Sequence, residues 1–337
     1  MWRAGFKWMF LIIGTTIGAG YASGRELWQF FGHESVLAIG LFTILFTMCC
    51  FVIMKISFDY KSVHYIPLLE RLLGKKLTKL YDWMIIIYLF STTVVMLAGG
   101  GATLQALHVP YWIGVAIISF LIITLFLWES KGMVALNAAI IPILITLLVL
   151  ILVTFIRSKS DGFLLDLHHH SNWPAAFTFT ALNIISLLAV LAGVGNEMKQ
   201  KGEVWIASIG SGLLLGSISL LYNQSLIKVA HELVVYEIPL FAILKHYPYM
   251  MMLVMSVLLW FAIYTTAVSG LFGLISRFRK YLQVPTWLLA SIIIICMLPL
   301  TAFGFSTLIG ILYPLYGVLN LYLLGSILLY PIVKRFE

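Results

Sequence analysis

Thirteen residues near the N-terminus have a composition that is unusual for a hydrophobic segment. The stretch from Gly14 to Glu26, GTTIGAGYASGRE, contains four glycines and four hydroxyl side chains. Glycine inside a helix costs about 1 kcal/mol relative to alanine, and an unpaired backbone group in lipid costs more unless it faces protein, water or a ligand. We therefore predict that this helix unwinds, so that freed carbonyls face a cation and freed N–H groups face a carboxylate.

Close helix packing is the alternative explanation for the same glycines, because Gly14/Gly18 and Gly20/Gly24 have the small-xxx-small spacing that lets helices touch. Arg25 and Glu26 follow directly, and charges inside a span usually line a cavity. They favour a broken, site-forming helix and are our candidates for proton coupling or gating.

The amino-acid composition indicates which class of protein contains this site. The chain is 62% hydrophobic and 10% charged, with a mean hydropathy of +1.04, which leaves too little charge to cover a water-soluble surface. The net charge of +8 does not indicate a nucleic-acid partner, because the basic residues lie in short loops between apolar runs. The partner of the apolar surface is the lipid bilayer.

Hydropathy predicts an all-α protein with ten transmembrane helices. Sixteen of the 21 Lys and Arg residues fall in the predicted inner segments and four in the outer ones, which places both termini in the cytoplasm of a plasma-membrane protein. The predicted spans are 8–31, 36–56, 80–107, 111–128, 133–156, 174–196, 203–227, 248–276, 286–303 and 306–331.

The loop 157–173 divides these spans into two sets of five within a single transmembrane domain, 1–337. Because five is odd, the second set (174–331) enters the membrane from the side opposite to the first (8–156). This is the arithmetic of a 5+5 inverted repeat.

The first span resembles the YkvI-like family of bacterial membrane proteins, whose signature is G-T-x-x-G-A-G-[FY]-A-S-G-x-E. The matching residues are Gly14, Thr15, Gly18, Ala19, Gly20, Tyr21, Ala22, Ser23, Gly24 and Glu26. That family looks like a compact branch of the amino acid–polyamine–organocation superfamily. The resemblance implies the LeuT-like fold of that superfamily, in which helices 1 and 6 break beside the substrate.

This resemblance implies further candidate residues in the sixth and eighth spans. Asn183 and Ser186 would join the backbone of the first break in binding substrate, although Asn183 could equally be an interhelical hydrogen-bonding group. Glu197 would be an inner gate or a simple loop charge. Tyr21 would be a side-chain contact or gate. The implied substrate site is Gly18, Ala19, Gly20, Tyr21, Ala22, Asn183 and Ser186; the implied ion site is Gly14, Thr15, Thr265, Thr266 and Ser269.

The predicted function is a secondary active transporter of a small organic solute, with an amino acid as one candidate and Na⁺ or H⁺ as the coupling ion. The alternative is a membrane receptor on the same fold that senses a solute without transporting it. We expect no enzyme activity and no cofactor, because metalloprotease, nucleotide-binding and nucleophile-elbow motifs are missing from the sequence. We expect no metal site, since the three consecutive histidines at 168–170 cannot easily converge on one ion.

Overall fold

We describe a computed structural model of the chain, which covers residues 2–33, 35–127, 133–159, 171–278 and 284–333. Within these ranges the protein is all-helical and contains no β-strand. A 3₁₀ turn spans Ala230–Glu232. The α-helices are α1 (Trp2–Thr16), α2 (Ala19–Ala22), α3 (Arg25–Phe31), α4 (Val36–Asp59), α5 (Tyr65–Gln105), α6 (Tyr111–Leu127), α7 (Met133–Ser158), α8 (Ala175–Gly193), α9 (Lys201–Ile227), α10 (Leu240–Leu244), α11 (Tyr249–Phe278), α12 (Thr286–Thr301), α13 (Phe305–Leu319) and α14 (Leu321–Val333).

Seven helical stretches in the described ranges are long and apolar enough to cross a membrane. The apolar helices α6 and α12 are shorter. Large side chains such as Phe120, Ile295 and Phe303 are exposed on the outside of the protein, where they require lipid rather than water. The chain is therefore a multi-pass membrane protein.

The first predicted span is broken at two of its glycines, as the sequence predicted. Gly18, between α1 and α2, has an extended backbone (φ −85°, ψ −173°). Gly24, between α2 and α3, has φ +79°, a left-handed conformation that glycine adopts without the clash that a Cβ would introduce. A Cβ at residue 24 would also lie 2.8 Å from the Tyr222 ring. The break is thus set by local backbone requirements.

The sixth span is not broken, so this part of the prediction is wrong. Helix α8 runs without interruption from Ala175 to Gly193, and its interior contains neither glycine nor proline. Its polar side chains donate to carbonyls of their own helix: Thr180 Oγ1 to Ala176 O (2.6 Å), Asn183 Nδ2 to Phe179 O (2.8 Å) and Ser186 Oγ to Asn183 O (3.0 Å). This bonding leaves the helical backbone intact.

Most of the long helices pack in two groups, and α7 contacts both of them through α9 and α11. In the first group, α1 and α4 pack against both α8 and α9. Small residues permit close approach there, since a Cβ on Gly212 or Gly216 of α9 would collide with the Thr47 or Thr43 side chain of α4. The second group consists of α5, α6, α11 and α12, and α13 packs against α8 and α5. The faces where the two groups meet are where a site can form between them.

The three consecutive glycines of the third predicted span serve packing. A Cβ on Gly99 would touch Phe305 at 2.9 Å, one on Gly100 would touch Ile118 at 2.6 Å, and one on Gly101 would touch Val115 at 2.7 Å. These contacts are to side chains of α13 and α6.

Candidate functional site

A cavity of about 440 Å³ lies against the break in the first segment, between the two helix groups. Its walls come from α1–α3 and α8 on one side and from α5, α11 and α13 on the other. The structure brings nine of the predicted site residues together on its surface: Thr15, Gly18, Ala19, Gly20, Glu26, Asn183, Ser186, Thr266 and Ser269.

The break leaves main-chain groups without partners next to this cavity. The Gly18 N–H donates to Thr16 O (2.9 Å), and the helical pattern resumes only when Ala22 N donates to Gly18 O (2.9 Å). Among the described residues, the N–H groups of residues 19–21 and the carbonyls of residues 14, 15 and 17 therefore make no hydrogen bond. Such groups are tolerated at membrane depth where they line a cavity.

Glu26 turns back from the first turn of α3 onto the break. Its side chain occupies the space beside Gly20, because a Cβ built on residue 20 would lie 1.8 Å from Glu26 Oε1. Glu26 is only 7% exposed, and its carboxylate forms no hydrogen bond or ion pair with any described residue. The glycine at position 20 is thus explained by the carboxylate that takes the place of its side chain.

The wall contributed by α11 carries hydroxyl groups. Thr266 Oγ1 donates to Ala262 O (2.7 Å) and Ser269 Oγ donates to Thr265 O (2.9 Å). Each hydroxyl uses its proton on its own helix, so each oxygen keeps lone pairs that can accept from a ligand or coordinate a cation. Asn183 likewise spends one N–H on Phe179 O, which leaves its carbonyl oxygen and its second N–H for other partners.

Tyr21 and Ala22 do not line the cavity, contrary to the sequence-based prediction. The Tyr21 ring is fully buried, and its hydroxyl hydrogen-bonds Leu215 O (3.0 Å) and Ser219 Oγ (2.7 Å) of α9. The Ala22 carbonyl accepts a hydrogen bond from the Tyr222 hydroxyl, which also belongs to α9 (2.9 Å). Because α2 is a single helical turn, both residues are directed to α9 while Gly18, Ala19 and Gly20 face the cavity.

Gly14 and Thr265 also lie off the cavity surface. Gly14 faces the Ile141 side chain of α7, with the Cδ1 atom 3.6 Å from a Cβ built on the glycine. Thr265 is fully buried and donates to Ala262 O (3.1 Å). The 100° rotation between successive helical residues turns Thr265 away while Thr266 faces inward.

Arg25 and Glu197 are likewise outside the cavity lining. Arg25 lies within electrostatic range of Glu237, in the segment that precedes α10. Glu197 forms an ion pair with Lys7, with 3.0 Å between Oε2 and Nζ. Both side chains are more than half exposed, so the pair contributes little to stability. It joins α1 to the α8–α9 connection, within one helix group, and therefore does not close a path between the groups.

Sequence reasoning missed an ion-paired cluster at the other end of the cavity. Arg277 makes a bidentate pair with Asp82, with N–O distances of 2.9 and 2.8 Å, and the Tyr65 hydroxyl donates to the same carboxylate at 2.8 Å. Tyr65, Ser276 and Arg277 belong to the cavity lining. A single carboxylate at the start of the third predicted span was the available signal, but its partner is 195 residues away.

Two further tyrosines were missed. Tyr88 of α5 and Tyr313 of α13 line the cavity, and both lie within electrostatic range of the Glu26 carboxylate. Tyr88 packs edge-on against Tyr316, with ring centroids 5.1 Å apart. Nothing in the sequence separates them from the many tyrosines that only fill space. Asp166 and the three histidines at 168–170 lie outside the described residues.

Comparisons with known proteins identify relatives of this chain. The chain is 51% identical to the protein YyaD of Bacillus subtilis over 337 residues, which covers both chains completely. It is 26% identical to the membrane protein YkvI of the same organism over 329 residues, or 95% of this chain and 94% of that one. The structure is similar to the inward-facing conformation of Mhp1, a LeuT-like fold, with a TM-score of 0.56 and 14% identity over 99% of this chain and 77% of Mhp1. No family model matches the chain.

Proposed function

Because the chain belongs to the YkvI-like family of membrane proteins and has a LeuT-like fold, we propose that it is a secondary active transporter. It moves a small organic solute across the plasma membrane by alternating access, and the gradient of Na⁺ or H⁺ drives the movement. Its role is transport rather than catalysis.

One observation carries the proposal: unpaired main-chain groups of a broken helix line a cavity between two helix groups. The cavity volume of about 440 Å³ lies within the range of pockets that hold small molecules. Transporters with this kind of fold work by rocking one helix group against the other around a site at the bilayer midplane. The position of this cavity supports that mechanism.

The proposed topology has ten membrane crossings, with both termini in the cytoplasm and two inverted repeats, 8–156 and 174–331. The seven long apolar helical stretches and the shorter α6 and α12 supply nine crossings. The broken segment α1–α3 supplies the tenth. The excess of Lys and Arg in the predicted inner segments supports this orientation.

The cavity is directed toward the inner side in this topology. It reaches Tyr65, Ser276 and Arg277, which adjoin predicted cytoplasmic loops. On the opposite side of the break, Leu240 N donates to Ser23 O at 2.9 Å, and all five residues of α10 are buried. The segment 228–247 therefore covers the outer half of the broken helix, and the proposed conformation is inward-facing.

Two groups at the cavity could couple transport to an ion. The free Thr15 carbonyl with the Thr266 and Ser269 hydroxyl oxygens offers neutral oxygen ligands, which suit Na⁺. Glu26 offers a buried carboxylate that could carry H⁺. These alternatives predict different effects of substitution at Ser269 and at Glu26.

The test is solute uptake into proteoliposomes. A screen for solutes that stabilise the purified protein identifies a ligand, and its radiolabelled form is then offered to vesicles with an inward Na⁺ gradient, an inward H⁺ gradient or neither. We expect uptake that depends on one gradient. Binding without flux under any gradient would contradict transport and favour the solute-sensing receptor.

A substitution pair then tests the Na⁺ alternative. If Na⁺ drives uptake, Ser269→Ala should abolish the effect of the Na⁺ gradient. Ser291→Ala is the matched control, because Ser291 also bonds its own helix, at Trp287 O (2.8 Å), but lies on α12, away from the cavity lining. Equal loss in both variants would rule out a specific role for Ser269.

A further inference from the structure

The charge balance of the cavity points to the chemistry of its ligand. Among the described residues that line it, Glu26 supplies the only carboxyl group and Arg277 the only basic group. Arg277 is neutralised by its bidentate pair with Asp82. Glu26 has no such partner, although the residue is only 7% exposed. The cavity therefore contains a buried carboxyl group that has no basic partner.

A buried carboxylate without a partner is unfavourable, because burial removes its hydration and nothing replaces it. A ligand with a positive charge would supply the missing partner through a charge-assisted hydrogen bond or a direct ion pair. A ligand with a negative charge would meet repulsion instead. The unpartnered carboxyl thus favours a ligand with a positive charge over a ligand with a negative charge.

The position of Glu26 also argues against a ligand with its own carboxylate. The free N–H groups of Ala19 and Gly20, which line the cavity, are the main-chain donors that an anion could use. However, Glu26 Oε1 already lies beside Gly20, at the site that a Cβ would fill. A ligand carboxylate on these donors would be placed against the Glu26 carboxylate, whereas an ammonium group would be attracted to it.

Aromatic rings complete the environment that an organic cation prefers. The Tyr88 and Tyr313 rings line the same cavity and lie within electrostatic range of Glu26. The faces of such rings attract ammonium groups, and more strongly where water is excluded. Apolar neighbours, including Ile85, Met96 and Leu182, would contact the hydrocarbon part of the ligand.

We propose that this cavity binds a small organic cation, a protonated amine or a quaternary ammonium without a carboxylate, whose charged nitrogen lies against Glu26. The inference rests on the proposed function, because it assigns the solute class of the proposed transport site. Binding is nevertheless measurable without a gradient and without transport.

The test uses the full chain purified in detergent and a panel of probes matched in size. The probes are n-butylammonium and tetramethylammonium as cations, butyrate as anion, γ-aminobutyrate as zwitterion and n-butanol as neutral control. Heat denaturation, followed by tryptophan fluorescence, reports binding, and titration gives Kd. We expect the two cations to stabilise the protein and the other three probes to leave it unchanged.

Two charge-removing variants locate the binding. Glu26→Gln should weaken n-butylammonium binding at least tenfold. Glu70→Gln is the matched control, since Glu70 is exposed on α5 outside the cavity, and its Kd should equal that of the unchanged protein. If Glu26→Gln does not fold, Glu26→Asp and protection of Glu26 from carbodiimide labelling by tetramethylammonium replace it. Labelling that tetramethylammonium does not slow would overturn the proposal.

Other outcomes also overturn the proposal and separate it from the proposed function. Preference for butyrate or γ-aminobutyrate, no response to either cation, or unchanged cation binding in Glu26→Gln would each refute a cation site at Glu26. Gradient-driven uptake of an anionic solute would refute it while supporting transport. Cation binding at Glu26 without flux would support it while refuting transport.

Discussion

Gly20→Ala tests the central relation in the site, which is the contact between residue 20 and Glu26. The added Cβ would lie 1.8 Å from Glu26 Oε1, 2.6 Å from Cδ and 2.9 Å from Cγ. These atoms belong to the end of a flexible side chain, so the carboxylate rather than the backbone should move. Helix α2 is compatible with alanine, and we therefore expect the protein to insert and fold.

The size of the effect follows from the displacement. Oε1 must retreat from 1.8 Å to the 3.4 Å at which ordinary van der Waals contact begins, a shift of about 1.6 Å. A charge-assisted hydrogen bond is usually 2.7–2.9 Å long and would not survive such a shift. Its loss costs about 1.5–3 kcal/mol, so Kd for n-butylammonium should rise about tenfold to a hundredfold.

The assay compares Gly20→Ala with an alanine substitution outside the cavity. Gly40→Ala of α4 is the control, because no atom lies within 4 Å of its Cβ position and Gly40 does not line the cavity. We expect Gly40→Ala to bind the probe as the unchanged protein does. The double-mutant cycle with Glu26→Ala isolates the pair: once the carboxylate is gone, Gly20→Ala should have no further effect on heat denaturation. An affinity in Gly20→Ala equal to that in Gly40→Ala would refute the geometry described for Glu26.

Two further predictions concern the stability of the segments around the site. Gly24→Ala should destabilise the protein by about 1–2 kcal/mol because its backbone is left-handed, and by more because the Tyr222 ring must move. Heat denaturation measures this loss of stability. Gly40→Ala is the control, since its Cβ would meet no atom within 4 Å, and an equally small effect in Gly24→Ala would contradict the prediction. In the outer segment 228–247, the hydrogen bond from Lys245 to Glu232 holds the pKa of that carboxyl below its ordinary value. Because the folded pKa is lowered, this contribution to stability is present above the unfolded pKa of about 4.3 and is lost as pH falls through the folded pKa. The melting temperature of Glu232→Gln should accordingly be lower than that of the unchanged protein at pH 7 and should converge with it in acid, and a constant difference across pH would refute this linkage.

The sequence predicted those parts of the structure that depend on local composition. Long apolar runs were sufficient for the membrane class and for the all-helical secondary structure, because lipid leaves a chain few alternatives to helix. They did not give every helix boundary, since α5 already begins at Tyr65 and the last predicted span, 306–331, is divided between α13 and α14. The break between Thr16 and Ala19 followed from the glycine at position 18, and the second break followed from the glycine at position 24.

Features that depend on distant packing were not predictable in the same way. The break expected in the sixth span came from resemblance alone, and the side chains of Asn183 and Ser186 bond back to a continuous helix instead. The direction of Tyr21 depends on how a four-residue helix rotates against α9. The pairing of Asp82 with Arg277 requires the tertiary structure.

The empty space beside Gly18 makes residue 18 a position for a chemical reporter. A cysteine introduced there would meet no described atom within 4 Å of its Cβ and would face the cavity. Two of the three native cysteines, Cys49 and Cys50, are buried, while Cys296 lies exposed on the apolar helix α12. With Cys296 replaced, a membrane-impermeant thiol reagent added to one side of oriented vesicles would therefore report which compartment has access to the break.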